Sequence, residues 1–179
     1  MKIHQAGEKN IPAIAAIHIA GWQAAYGGLV DQAYLDSLSV GQRIKDWQGW
    51  LASGESTVLI AEIEGVAAGF IAFGRTRTAP PGESNIRPQY PAEIYGLYIL
   101  PDYWRQGIGG ALLKAAAQEI RARKMNGLCL WVLDGNSRAK SFYEKTYGQR
   151  IGKQTVEIGP SRVKEVCYGW RDLKRLITD

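Results

Sequence analysis

The strongest chemical signal in this sequence is Arg105-Gln106-Gly107-Ile108-Gly109-Gly110, directly ahead of the apolar residues Ala111-Leu112-Leu113. A helix that begins here leaves its first backbone N–H groups without intrahelical partners, and its dipole adds partial positive charge at the same end. Glycines ahead of it let the backbone approach a bulky anion with no Cβ in the way. The chemistry this pattern can do is phosphate binding by main-chain amides. The preceding Tyr95-Gly96-Leu97-Tyr98-Ile99-Leu100-Pro101 reads as a strand stopped by proline, so the turn is fed by a β-strand.

Two nucleotide motifs are excluded by spacing. A dinucleotide turn needs G-x-G-x-x-G after the first strand, whereas Gly107, Gly109 and Gly110 come in mid-chain behind three predicted strands. A Walker A loop needs Gly-Lys-Ser/Thr, and neither Lys nor Ser/Thr follows these glycines. No Cys/His spacing suggests a zinc site, so no metal is expected, and Cys129 and Cys167 read as buried core thiols. His18 falls beside Ile14 at helical spacing and reads as a packed core-edge residue.

The elements that must position the turn can be read on either side of it. Residues 2–6 suit a short strand. Asn10 is placed to cap a helix with Pro12 in its first turn and Ile14, Ile17, Gly21 and Ala25 on one face; Gly27-Gly28 ends it. Two more helical pieces follow over 31–38 and 41–51, the second with Trp47 and Trp50, which suit either core or the wall of a pocket. Residues 57–63 and 66–73 are strand-like and Glu64-Gly65 is a tight hairpin turn between them. The segment 75–92 holds four prolines (Pro80, Pro81, Pro88, Pro91) and reads as an irregular loop, either a specificity lid or an insertion without consequence. Residues 93–99 form the strand into the glycine turn, and Leu112, Ala116 and Ile120 give the following helix an apolar stripe. The run 128–133 suits a buried strand parallel to its neighbour after a crossover helix. A helix capped by Asn136 or Ser137 comes next, and 149–157 with 163–170 close the sheet as an antiparallel pair. The order predicts a mixed α/β fold in one domain spanning 1–179.

A chain of 179 residues with 46% hydrophobic and 22% charged residues can bury a real core and reads as an ordinary globular protein. No run approaches the apolar length of a membrane span, and the polar start lacks a signal-peptide core, so a cytoplasmic location with no membrane partner is expected. A net charge of +5 permits an anionic ligand. The basic cluster Arg121, Arg123 and Lys124 falls at a helix C-terminus, where cations suit the dipole, so nucleic acid is not expected as a partner.

Arg105 to Leu113, with Leu97-Tyr98-Ile99-Leu100-Pro101 before it, closely resembles the acyl-CoA-binding motif of the GNAT N-acetyltransferase superfamily. Downstream, Leu130-Trp131-Val132-Leu133 followed by Asn136-Ser137-Arg138-Ala139-Lys140-Ser141-Phe142-Tyr143 is similar to that family's second signature, Asn-x-x-Ala-x-x-Phe-Tyr after a strand. The stretch 21–29 also looks like many bacterial members. One position departs: aligned on Gly107-Ile108-Gly109, Trp104 stands where the family has Gln or Arg.

The resemblance implies a GNAT-like mixed sheet of about seven strands, splayed at its centre and flanked by about four helices. It implies acetyl-CoA as cosubstrate, with the pyrophosphate on the amides of Arg105, Gln106, Gly107, Ile108, Gly109 and Gly110. The pantetheine arm would pair with the backbone of Leu97, Tyr98 and Ile99 and touch Asn136, which can also cap its helix. A β-bulge on this strand, for which Gly96 is suited, would open the slot and aim N–H groups at the thioester carbonyl. Tyr143 matches the tyrosine that protonates the departing thiolate, and is otherwise a helix-face aromatic. Glu93 matches a position where members often place a base, and can instead hold the incoming cation or pair with an arginine. An alkylammonium near pKa 10.4 is only about one part in a few thousand free amine at pH 7, so a base is needed. Trp22 and Tyr26 are expected to shape the acceptor pocket. The implied activity is acetyl transfer to a primary amine of a small molecule or peptide. The competing reading is a non-catalytic acyl-CoA sensor on the same fold. Members often dimerise, and nothing in the sequence favours or opposes a homodimer.

Overall fold

The computed structural model describes residues 1–77 and 89–178. Most of the expected 75–92 loop lies outside the described residues. The elements are β1 (Lys2–Gln5), a 3₁₀ turn (Glu8–Asn10), α1 (Ile11–Tyr26), α2 (Gln32–Asp36), α3 (Val40–Ala52), β2 (Ser56–Ile63), β3 (Val66–Arg75) and β4 (Ala92–Ile99). A second 3₁₀ turn (Pro101–Tyr103) leads to α4 (Ile108–Ala122), β5 (Leu128–Leu133), α5 (Ser137–Lys145), β6 (Gln149–Ile158), β7 (Ser161–Trp170) and α6 (Lys174–Thr178). Among the described residues, seven strands make one sheet in the order β1-β2-β3-β4-β5-β7-β6, as the mixed α/β expectation requires. β4 and β5 are the parallel pair, because the α4 crossover returns the chain in the same direction; the other neighbours are antiparallel. Among the described residues, two of the six helices span only 5 residues each; of these, α6 has no signal in the sequence periodicity.

Alternation along the strands sorts the core onto two faces. Leu59, Ala61, Ile71 and Phe73 turn to α4, whose Leu112, Leu113, Ala116 and Ile120 are fully buried against them. Val58, Ile60, Phe70 and Ala72 turn the other way, to Ile14 and Ile17 of α1 and Trp47 of α3. Among the described residues no helix is long and apolar enough to cross a membrane. Glu64 and Gly65 both have positive φ, 51° and 83°, as a two-residue hairpin turn demands.

One local expectation is corrected. Asn10 precedes α1 but its side chain makes no bond into that helix. Its Oδ1 accepts instead from Gly7 N–H at 3.0 Å, closing the 3₁₀ turn that the sequence did not signal.

Two irregularities prepare the centre of the sheet. Opposite β3, Ala72 faces Gly96 but Phe73 faces Ile94, so Tyr95 is the extra residue of a bulge in β4. Opposite β5, pairing is confined to Ala92, Glu93 and Ile94 with Leu128, Cys129 and Leu130. Beyond these pairs the two strands part while each keeps its outer neighbour. The splay expected of the fold therefore begins at the bulge.

Candidate active site

A cavity of about 360 Å³ occupies the gap between β4 and β5 and passes through the sheet. On the α4 side it is lined by Trp104, Arg105, Gly107, Ile108, Gly109, Gly110, Asn136, Phe142 and Tyr143. On the α1 side it reaches Gly21, Ala25 and Tyr26, with Tyr95 and Trp131 between. Leu97, Tyr98 and Ile99 form its β4 wall.

Gly107 sits at the N-cap of α4 with φ 80°, a conformation that costs glycine little and an L side chain more. A Cβ added at Gly110 would meet nothing within 4 Å, so the first turn of α4 faces open space. That is a cradle with amide donors at its base, and it fits a diphosphate. Gln106 belongs to the turn but does not line the cavity; its Nε2 donates to the Asp102 carbonyl at 3.0 Å.

Trp104, the residue that departs from the motif, has a defined partner. Leu100 N–H bonds to Ala68 of β3, so the Ile99 carbonyl on the opposite side of that peptide points into the gap. Trp104 Nε1 donates to this carbonyl at 2.7 Å. The Arg138 guanidinium lies 3.3 Å from the centre of the same indole ring. Trp104 thus closes the exposed edge of β4 and carries a cation at the cavity mouth. Trp104→Phe removes the indole N–H and leaves a ring for Arg138. The expected loss is about 1 kcal/mol, read from the denaturant midpoint, with acetyl-CoA binding retained in calorimetry.

Tyr143 is 7% exposed, on the inner face of α5, against Tyr168 and Trp170. Burial, with Tyr98 nearby, pushes its hydroxyl well above the ordinary phenol range, so it stays protonated at neutral pH. Asn136 Oδ1 accepts from Ala139 N–H at 3.1 Å, so it caps α5 while standing on the cavity wall.

Of the residues expected on the acceptor side, Tyr26 lines the cavity and Trp22 stands behind it. Trp22 Nε1 donates to Tyr98 Oη at 2.9 Å, and Tyr98 shares a second hydrogen bond with Tyr26. Burial raises both hydroxyls' pKa values. Behind Tyr98, His18 stacks on its ring at 4.8 Å and accepts from Trp47 Nε1 at 3.3 Å. Trp47 is therefore core, and Trp50 is 40% exposed. Gly21 permits this packing, since a Cβ there would stand 2.8 Å from Tyr98.

Glu93 is 6% exposed at the middle of the three rungs that pair β4 with β5, and its Oε2 accepts from Arg77 N–H at 2.8 Å. It shares a sheet face with Tyr95 but is not among the residues lining the cavity. Tyr95, Tyr98, Trp131, Arg138 and Phe142 line the cavity, and their side chains had no assigned role from the sequence.

Comparison with known proteins agrees with this geometry. Residues 22–149 match the acetyltransferase (GNAT) family. The chain is 30% identical over 177 residues to the uncharacterized N-acetyltransferase YuaI of Bacillus subtilis, covering 98% of this chain and 96% of that protein. The structure of the PaiA N-acetyltransferase of Thermoplasma acidophilum, solved with coenzyme A, superposes with a TM-score of 0.68 at 20% identity, over 92% of this chain and 96% of that one. The ribosomal-protein-alanine N-acetyltransferase of Brucella melitensis gives 0.70 at 22%, over 95% and 99%. An open glycine turn at the start of α4, a bulged and splayed β4, and a match that runs through both motifs have one account: the chain belongs to the GNAT family and is an acetyltransferase.

Proposed function

We propose that this protein transfers the acetyl group of acetyl-CoA directly to a primary amine of a small molecule or peptide. The observation that carries this reading is the single cavity running from the α4 amides, past Tyr143, to Tyr26 on the far side of the sheet. Two substrates can meet there from opposite faces, which direct transfer requires. When bound, the coenzyme supplies an activated acetyl thioester.

The chain's own groups then have these roles. Amides of residues 105–110 hold the pyrophosphate. Leu97 and Ile99 N–H face the gap by strand alternation and pair with the pantetheine arm; the Ile99 carbonyl is already taken by Trp104. Asn136 touches the same arm. Backbone N–H groups at the bulge polarise the carbonyl that the amine attacks. As the C–N bond forms and the C–S bond breaks, Tyr143 gives its proton to sulfur, and the ammonium proton leaves through water toward Glu93. Trp22, through Tyr98 and Tyr26, keeps the acceptor side in shape. Two buried free thiols, Cys129 and Cys167, suit a reducing compartment, and the cytoplasm is the proposed location.

Release of free thiol from acetyl-CoA with a panel of amines tests the activity. Tight acetyl-CoA binding with no thiol release for any amine would make the protein a sensor instead. Glu93→Gln keeps an acceptor for Arg77 N–H. It should lower kcat/KM at least tenfold and flatten the rise of rate with pH; an unchanged pH–rate profile removes Glu93 from proton transfer.

A further inference from the structure

Arg138 is a cation on the cavity wall that none of the steps above uses. Its guanidinium carbon lies 3.3 Å from the centre of the Trp104 ring, so the two planes are in face contact. Among the described residues this guanidinium makes no hydrogen bond or ion pair. Stacking occupies the face of the group and leaves its five N–H donors free, since all of them lie in its plane. The ring beneath is itself held by the 2.7 Å bond from Trp104 Nε1 to the Ile99 carbonyl. A cation resting on a fixed platform loses less rotamer freedom when it takes an anion than one on a free stem.

Helix packing brings this group to the glycine turn. Arg138 and Phe142 are four residues apart on α5 and share one face of it. A Cβ added at Gly109 would stand 3.4 Å from the Phe142 ring, so that face of α5 lies against the first turn of α4. Arg138 is one turn nearer the α5 N-terminus, and it lines the same cavity as Asn136, Gly107 and Gly110. Trp104 is the position at which the first motif departs, and an indole brings no charge of its own. Here a cation reaches that position from the second motif instead.

We infer that Arg138, laid on Trp104, clamps the coenzyme pyrophosphate against the α4 amides, and that Trp104 is the positioning residue for this clamp. The amides hold the anion from the α4 side. The edge of the guanidinium holds it from the α5 side with paired N–H donors, which match phosphate oxygens. The departure at position 104 is thereby compensated: the side chain there supplies a platform, and α5 supplies the charge. This assignment rests on the acetyl-CoA reading above.

Calorimetric affinities are compared for coenzyme A and for dephospho-coenzyme A, which lacks the 3′-phosphate and keeps the pyrophosphate. Arg138→Gln should weaken both by about tenfold or more, about 1.4 kcal/mol, and the loss should shrink as salt is raised. Arg138 is exposed, so this variant should fold as the wild type does. Trp104→Leu removes the platform and should lose a similar factor; adding Arg138→Gln to it should cost little more, because the two act as a unit. Trp104→Phe, which keeps a ring, should recover most of the affinity. An Arg138→Gln protein that binds coenzyme A within about twofold of the wild type overturns the clamp and leaves the acetyl-CoA reading standing. So does a loss that is independent of salt, or one confined to coenzyme A, which would put Arg138 on the 3′-phosphate. Losses that multiply in the double variant overturn the role of Trp104. No binding of coenzyme A by the wild-type protein overturns the acetyl-CoA reading and the clamp together.

Discussion

Tyr143→Phe should lower kcat about 10²-fold or more while leaving the acetyl-CoA KM within about twofold. The ring remains, so packing against Tyr168 and Trp170 and the cavity wall persists; what is lost is the proton delivered as the C–S bond breaks. That bond breaks only on the way through the transition state, so its loss appears in kcat and not in coenzyme binding. The pH dependence has a defined sign. Burial raises the Tyr143 pKa, so the hydroxyl is protonated throughout the neutral and mildly basic range. Wild-type activity should therefore not decline through this group near its ordinary value of about 10. Steady-state kinetics with acetyl-CoA and an accepted amine read both quantities. An unchanged kcat removes Tyr143 as the acid.

The second large effect concerns stability in acid. Burial, and then the positive charge of Arg43, lower the His18 pKa from 6.5 to about 3, with Asp46 opposing. In the unfolded chain this imidazole takes a proton below about pH 6.5, whereas in the fold it stays neutral. The stability it contributes is complete above pH 6.5 and is lost as pH falls toward 3. Between pH 7.5 and 5 the loss from this group alone should be about 2 kcal/mol. His18→Gln retains an oxygen to accept from Trp47 Nε1 and does not titrate. Subtracting its denaturation free energies from those of the wild-type protein over this range isolates the His18 contribution. Parallel curves would show that His18 takes up its proton over the same pH range in the folded and the unfolded chain.

His18 also illustrates what was legible beforehand. Its place beside Ile14 at helical spacing marked it as packed, and it is 8% exposed. Its partners, Trp47 from α3 and Tyr98 from β4, lie 29 and 80 positions away, and no periodicity within one helix could name them. Asn10 failed for the opposite reason: two local uses of one side chain competed, and the bond back to Gly7 won over the cap of α1.

The glycine turn, its strand and the following helix were readable because each depends on residues adjacent in the chain: a left-handed Gly107, a proline stop at Pro101, and an apolar stripe of period close to four. The two-motif spacing went further and carried the family, since motifs some thirty residues apart constrain a crossover helix between parallel strands. Those are matters of local conformation and chain order, and the amino-acid sequence alone determines them. The tertiary structure decided what meets across the gap between β4 and β5. It gave Trp104 the Ile99 carbonyl and set Tyr26 and Tyr143 on one cavity. Those contacts depend on where the strands part, and a splay that begins at a single extra residue is fixed by the packing of both neighbouring strands together.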